Sequence, residues 1–426
     1  MLISEGLKLA YLVMPYILLR WHLSYQITHM GVTTIQPTTL FDPEDLKIAF
    51  SNKTDEELKL AHFLFRMMGK PTLVKLGGIA TVWALKLGLP IKGLVKNTIY
   101  RHFCGGETAQ QAQLAIRRMA KAKVYTVLDY AAEAKEDEDG FDYVLDEIMR
   151  NIRLAKVTGE IPYISVKLTG IGSRDIFQKL QEGELLTAEE TAAFQRTENR
   201  LDLICKAAFE ANITVYIDAE ESWLQQAMDE LAEKMMLRYN EHRAVVFNTL
   251  QMYRTDRIAY LTDLLKRSEG YDVVLGIKIV RGAYIEKEQE RAAEYGYPSP
   301  VFSIKADTDH SFDKAIDICL QNLHRVELCA ATHNEASTRY LVNQINRRGI
   351  ADHRKCIYFS QLYGMSDNLT YNLASAGFNA SKYLPYGDVA TTLPYMIRRA
   401  EENTSIAGQM GRELSLLEAE MKRRGL

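Results

Sequence analysis

The chain has 426 residues, with 52 Lys plus Arg against 55 Asp plus Glu, a formal net charge of −3 and 47% hydrophobic residues. That composition excludes wholesale disorder, and the missing basic excess argues against nucleic acid as a partner. Five cysteines, at 104, 205, 319, 329 and 356, include no CxxC pair, so the chain reads as free of disulfides and metal, in a reducing compartment.

The most apolar stretch comes first, KLAYLVMPYILLRWHL at 8–23. Its unbroken run from Ala10 to Leu19 is about half of the ~20 residues a spanning helix needs, and Pro15 interrupts it. The start MLISEGLK lacks a cationic region and a small-residue cleavage site, so residues 1–39 are left as an unassigned leader. Residues 40–121 read as an N-terminal helical arm. In it Thr54 and Glu57 form a capping box ahead of LKLAHFLFRMM, and a helix at 107–121 follows the Gly105–Gly106 break. The second apolar region, 71–98, contains Lys75, Lys86, Lys92 and Lys96. Those lysines are costly inside a bilayer, so amphipathic helices packed on the main domain, or lying on a membrane surface, are expected there.

The pattern then changes. Short β-branched or aromatic runs occur at 123–129, 162–168, 213–218, 244–251, 272–280, 326–332, 355–362 and 378–384. Helical stretches separate them, at 141–156, a long polar insert to about 211, a segment ending near 239, then 255–267, 286–293 with 310–324, a helix from Glu335, 367–376, and a last one from Thr391. Strands alternating with helices imply parallel pairing, and eight such units over 122–405 match an α/β (β/α)8 barrel, a distorted TIM barrel, with 406–426 as a C-terminal helix. An open doubly wound sheet is less attractive, because Gly170-Ile171-Gly172 lacks the third glycine of a dinucleotide fingerprint.

In a parallel barrel the chemistry gathers at the C-terminal ends of the strands. There the sequence places Lys167, Asp218 with Ala219, Gln251, Arg281-Gly282-Ala283-Tyr284, Thr332-His333-Asn334 and Tyr383, with Lys278 inside strand five and Arg398-Arg399 on the eighth helix. Each alone reads as a loop charge, a helix cap or a solvated face. Together they define a cleft whose arginines and lysine can hold a carboxylate or a phosphate. The residues by themselves reach no further than a barrel enzyme acting on such an anion, with redox chemistry left open. A Schiff-base lysine, Lys167 or Lys278, would make it an aldolase or lyase. A non-catalytic protein binding a membrane through 71–98 is the other alternative.

At these residues the sequence resembles the proline dehydrogenases, the FAD-dependent enzymes of proline catabolism. The carriers are SVKL at 165–168, YIDAEES at 216–222, KIVRGAY at 278–284, ATHN at 331–334, YLPYG at 383–387 and PYMIRRAEEN at 394–403. The likeness starts near Phe103, in FCGGET, and runs to about residue 405.

The resemblance implies a distorted barrel with its eighth helix over the mouth. It implies that Arg398, Arg399 and Lys167 hold the proline carboxylate, that Tyr284, Leu362, Tyr383 and Tyr395 wall the ring, and that Asp218 and Lys278 are catalytic. By the same resemblance Ala219, Gln251, Lys278, Arg281, Gly282, Ala283, Thr332 and His333 contact FAD, and Glu402 supports the ribityl chain or the arginines. Hydride would pass from proline C5 to the flavin N5, giving 1-pyrroline-5-carboxylate, and the electrons to a quinone. That suits a cytoplasmic chain in peripheral contact with the inner face of a membrane. Many bacterial relatives have Arg where Lys278 stands and Lys where Arg281 stands; the exchange keeps the charge but moves the arginine fork. Hydroxyproline-preferring relatives carry a small residue at the place of Tyr383, so proline is the expected substrate and hydroxyproline the alternative. The end at 426 leaves no room for the aldehyde dehydrogenase module of bifunctional members, so a monofunctional enzyme is expected.

Overall fold

The structure, a computed structural model, describes residues 41–426 apart from 71–75, 79, 82, 85, 86, 88, 132–135 and 406–408, and the side chains of 400–410 are likewise outside it. The leader at 1–39 and Lys75 and Lys86 of the second apolar region therefore lie outside the described residues.

Eight parallel strands close a barrel in sequence order: β1 Tyr125–Tyr130, β2 Tyr163–Val166, β3 Thr214–Ile217, β4 Val246–Gln251, β5 Leu275–Val280, β6 Val326–Ala331, β7 Ile357–Leu362 and β8 Asn379–Tyr386. All eight expected runs are strands, each slightly shorter or shifted except that β8 continues through Pro385 to Tyr386. The register puts Val127 and Leu362 on either side of Tyr383, and Thr249 and Cys329 on either side of Lys278. β5 includes Gly276, where a Cβ would fall 2.3 Å from the Val246 carbonyl oxygen and 2.8 Å from the Phe247 ring, so only glycine fits.

The helices follow as α1 Asp55–Met68, α2 Ala109–Lys121, α3 Glu138–Thr158, α4 Arg174–Glu182, α5 Ala188–Ala211, α6 Gln225–Tyr239, α7 Arg257–Arg267, α8 Ile285–Tyr295, α9 Lys305–Gln321, α10 Glu335–Arg347, α11 Asp367–Ser375, α12 Leu393–Ser405 and α13 Gln409–Arg424. The long polar insert is two helices, because Gly183 in left-handed conformation caps α4. α9 begins five residues before the expected 310; its first turn is polar and so hides the apolar period.

The lumen floor is aromatic. Tyr163 stacks on Tyr216 at 5.4 Å, and Phe247 and Tyr358 close the ring edge-on. Outside the strands a second apolar layer joins barrel and helices, with Leu201, Ile204, Met228, Phe312 and Leu341 fully buried. A third cluster assembles the arm: Leu58 and Phe65 of α1, Phe103, Leu416 and Leu417 of α13, and Leu393, Tyr395 and Met396 of α12. Each fully buried leucine or methionine there contributes about 1.5–3 kcal/mol, so the arm seats α12 firmly.

The expected capping box is present. Thr54 Oγ accepts from the Glu57 N–H at 3.2 Å and the Thr54 N–H donates to Glu57 at 3.0 Å. Glu57 also takes a two-pronged contact from Arg118 of α2 at 2.7 and 2.8 Å, which lowers its carboxyl pKa to about 2.

His102 lies edge-on between Phe65 and Phe103, and burial, with Lys53 nearby, pushes its imidazole down to about 3. Between that value and 6.5, the unfolded chain takes up a proton at His102 that the folded chain refuses. This residue alone should therefore make stability rise with pH across that window by about 1.4 kcal/mol per unit. Denaturant titrations from about pH 5 to 6 should show that slope reduced by this amount in His102→Leu. Equal slopes would mean that folded His102 protonates freely.

Candidate active site

The candidate residues stand at the C-terminal ends of the strands, as the alternation of strands and helices requires. At the centre is Lys278, which projects from β5 into the lumen with 3% exposure. Its Nζ donates to Asp218 Oδ1 at 2.5 Å and to Tyr383 Oη at 3.1 Å, and Tyr383 Oη donates to the same carboxylate oxygen at 2.7 Å. The ammonium also lies 5.2 Å from the Tyr216 ring of the floor and 4.8 Å from the Tyr383 ring. Burial, and then the Asp218 charge, raise the Tyr383 phenol pKa well above its ordinary value, so this hydroxyl keeps its proton. Ser165 Oγ, on β2, donates to Asp129 at 2.7 Å close by.

Around this triad the loops are braced. Gln251 accepts from the Ala283 N–H at 3.1 Å and donates to the Glu220 carbonyl at 2.6 Å, tying the loops after β3, β4 and β5 together. Gly282 has φ +142°, and a Cβ on it would lie 2.4 Å from the Tyr253 ring; a side chain is excluded there. Arg281 turns outward. It donates to Asp309 and Ser337, each at 2.9 Å, and to Thr332 Oγ, and it covers the Phe312 ring at 4.5 Å. It joins β5 to α9 and α10. Thr332 also accepts from the Asn334 N–H, and Ala219 is partly exposed beside Asp218.

Helix α12 carries Tyr395, Arg398 and Arg399. The Arg399 guanidinium lies 5.1 Å from the Tyr395 ring centroid and within electrostatic reach of His333. Arg398 acts on Tyr284, which also feels Asp218. The two arginines are thus within electrostatic reach of the loops after β5 and β6. Lys167, at the end of β2, is half-buried and acts on Glu220. Leu362 ends β7, packs against the lumen cluster and gives its N–H to His333 Nε2 at 3.4 Å. Burial, then Lys382, Arg399 and Arg281, push the His333 imidazole down to about 3, so it is neutral at physiological pH. Glu402 falls in α12, but its side chain lies outside the described residues.

Several structural partners carried no signal in the sequence. Glu288 of α8, fully buried, accepts from the N–H and hydroxyl of Ser222 at 2.7 and 2.5 Å. Glu220 accepts from Thr169, and Tyr216 supports Lys278 from below. Lys382, beside Tyr383 in β8, points out of the barrel to Asp367 at 2.9 Å. A group of three or more potential metal ligands is absent among the described residues.

Residues 112–412 match the family described as proline dehydrogenase. Among curated relatives, the carbapenem antibiotics biosynthesis protein CarD of Pectobacterium carotovorum subsp. carotovorum is 33% identical, over 77% of this chain and 84% of that protein. Proline dehydrogenase 1, mitochondrial, of Arabidopsis thaliana is 32% identical, over 78% of this chain and 76% of that one. Hydroxyproline dehydrogenase of Xenopus laevis is 28% identical over 88% of each. Among solved structures, proline utilization A of Bdellovibrio bacteriovorus superposes with a TM-score of 0.68 at 19% identity, over 87% of this chain and 40% of that one. That likeness is one of fold.

Removing Asp218 strands a buried ammonium. Asp218→Ala should destabilise the fold by about 3–5 kcal/mol in denaturant, and adding Lys278→Met should recover most of the loss. A double variant as unstable as the single one would place the cost elsewhere.

Proposed function

The chain belongs to the proline dehydrogenase family, and on that premise we propose that it is a flavin enzyme that oxidises L-proline to 1-pyrroline-5-carboxylate and delivers the electrons to a quinone. The observation that supports this best is the meeting of α12 with the strand ends: Tyr284 lies in the fields of both Arg398 and Asp218, and His333 in that of Arg399. An anionic substrate entering there meets paired guanidinium groups on one side and the Lys278–Asp218–Tyr383 triad on the other.

The rim suits FAD. Gly282 and Ala283 leave backbone exposed between Gln251 and Thr332, with the buried Lys278 cation behind them. Ala219, Gln251, Lys278, Arg281, Gly282, Ala283, Thr332, His333 and Glu402 would hold it, Arg281 by fixing Thr332 and α10. When bound, FAD supplies the acceptor for the hydride leaving proline C5. The chain's own residues do the rest. Arg398 and Arg399, with Lys167, clamp the carboxylate and turn C5 toward the rim. Tyr284, Leu362, Tyr383 and Tyr395 wall the ring. The cationic lining disfavours the substrate ammonium and so favours the neutral amine from which hydride leaves easily. Asp218 holds the Tyr383 hydroxyl and the Lys278 ammonium in place, so the floor of the pocket does not shift during turnover.

Peripheral contact with a membrane belongs to the same reading. Among the described residues no helix is long and apolar enough to cross a membrane. The arm nevertheless exposes Leu76, Trp83, Leu87, Leu89 and Leu94. Lys92 is neutralised by Asp388 and Lys96 by Glu107, so apolar area rather than charge supports that contact.

FAD-loaded protein should lose its visible flavin absorption on anaerobic addition of proline, and Arg398→Ala should raise the apparent KM by about 2–4 kcal/mol of lost carboxylate binding. Protein that cannot be loaded with FAD, or that proline leaves oxidised, sinks the reading. Proline is preferred over hydroxyproline because Tyr383, held on Asp218 and Lys278, fills the space a ring hydroxyl needs. Tyr383→Ser should therefore raise kcat/KM for hydroxyproline relative to proline; an unchanged ratio removes that role.

A further inference from the structure

The turn after β7 holds a residue in an expensive conformation. Ser366 has φ 50° and ψ 45°, in the left-handed region, and is 2% exposed. Its backbone N–H and its hydroxyl both donate to one oxygen, Oε1 of Glu413, at 2.5 and 3.0 Å. Glu413 is on α13, one residue past the family match at 112–412. It is 6% exposed. On the other side Ser366 Oγ lies 3.0 Å from His333 Nδ1.

A hydroxyl has one proton. Ser366 gives that proton to Glu413, so toward His333 its oxygen can only accept, and Nδ1 must carry a hydrogen. Nε2 faces the Leu362 N–H at 3.4 Å and must offer its lone pair. The geometry admits one arrangement, a neutral ring with its hydrogen on Nδ1. Burial raises the Glu413 carboxyl pKa, and Oε1 can accept both bonds whether or not the other oxygen is protonated.

We propose that Glu413 is a positioning residue of the active site: through Ser366 it fixes the tautomer of His333, and through His333 it holds the backbone of Leu362, the end of β7. The consequence for turnover rests on the reading given above, in which His333 borders the flavin and Leu362 walls the substrate ring. The tautomer itself does not.

The test is selective 15N labelling of histidine in the full chain, with and without FAD, and NMR of the imidazole nitrogens; loss of a signal in His333→Gln assigns the residue. His333 should be neutral and protonated on Nδ1. Ser366→Gly removes the hydroxyl while relieving the left-handed strain, so it keeps the fold even where Glu413→Ala does not. Both changes should bring in the Nε2–H form and raise KM for proline about three- to tenfold, whereas Glu413→Gln, which keeps the accepting oxygen, should hold the native tautomer and KM within about twofold. A native ring protonated on Nε2, a Ser366→Gly ring unchanged from native, or a tautomer change that leaves KM unmoved would overturn the proposal. Failure to take up FAD would instead count against the flavin reading, and the tautomer would still be read in the flavin-free chain.

Discussion

The mouth of this barrel is organised by one buried cation. Lys278 sits above a floor of aromatic rings that offer its ammonium only their faces. Leaving it otherwise unpaired would cost several kcal/mol. Its carboxylate comes from the end of β3 and its phenol from β8, and three such distant strands meet only when the sheet is closed. Barrel closure and the ion pair therefore require each other: closure brings Asp218 and Tyr383 to the lysine, and the triad removes the penalty closure would otherwise incur by burying it.

Electrostatics then propagate outward from that centre. The rim carries Arg281 and Arg399, with Lys382 just behind it, and His333 is driven neutral by burial first and then by these cations. A neutral imidazole can have one nitrogen that donates and one that accepts. The fixed roles of its neighbours depend on that. Arg281, in turn, is held by Asp309 of α9 and Ser337 of α10.

The architecture was legible because buried parallel strands read as continuous apolar runs, and eight of them alternated with helices. Asp218, Tyr383 and Arg398 read one by one as loop, cap or surface residues and stood out only as a set gathered at the strand ends and on the eighth helix. What stayed hidden is what no local period encodes. Lys382 alternates with Tyr383 and so faces the other side of the sheet, where its partner Asp367 looks like an ordinary first-turn acid. Glu413 sits in a helix rich in glutamate and arginine, 47 residues from the serine it holds, with nothing to mark it off from its neighbours. Arg281 was placed beside the cofactor by family likeness; its bonds to Asp309 and Ser337 depend on where α9 and α10 pack, which no local pattern encodes. The flavin and the quinone come from family likeness, not from any spacing of residues.

The regions on either side of the family match brace the turn after β7 and pack against α12. Lys53, ahead of α1, and Glu413, on α13, converge on the same turn: Lys53 pairs with Asp367 at 3.0 Å and Glu413 with Ser366. Burial works against ionisation of Asp367, yet Lys382 and Lys53 together hold its carboxyl far below the usual range, while Lys382 itself is pushed down by burial. Glu413 also acts on Lys382, although burial and the Asp367 charge raise its own carboxyl pKa. The same segments supply Leu58, Phe65, Leu416 and Leu417, against which Leu393 and Met396 of α12 are buried. The polar contacts thus fix the turn after β7, and the apolar ones fix α12. A helix carrying two arginines has no intrinsic reason to lie over a barrel that already presents cations. It is held there by apolar packing against α1 and α13, the segments that flank the barrel at both ends of the described chain.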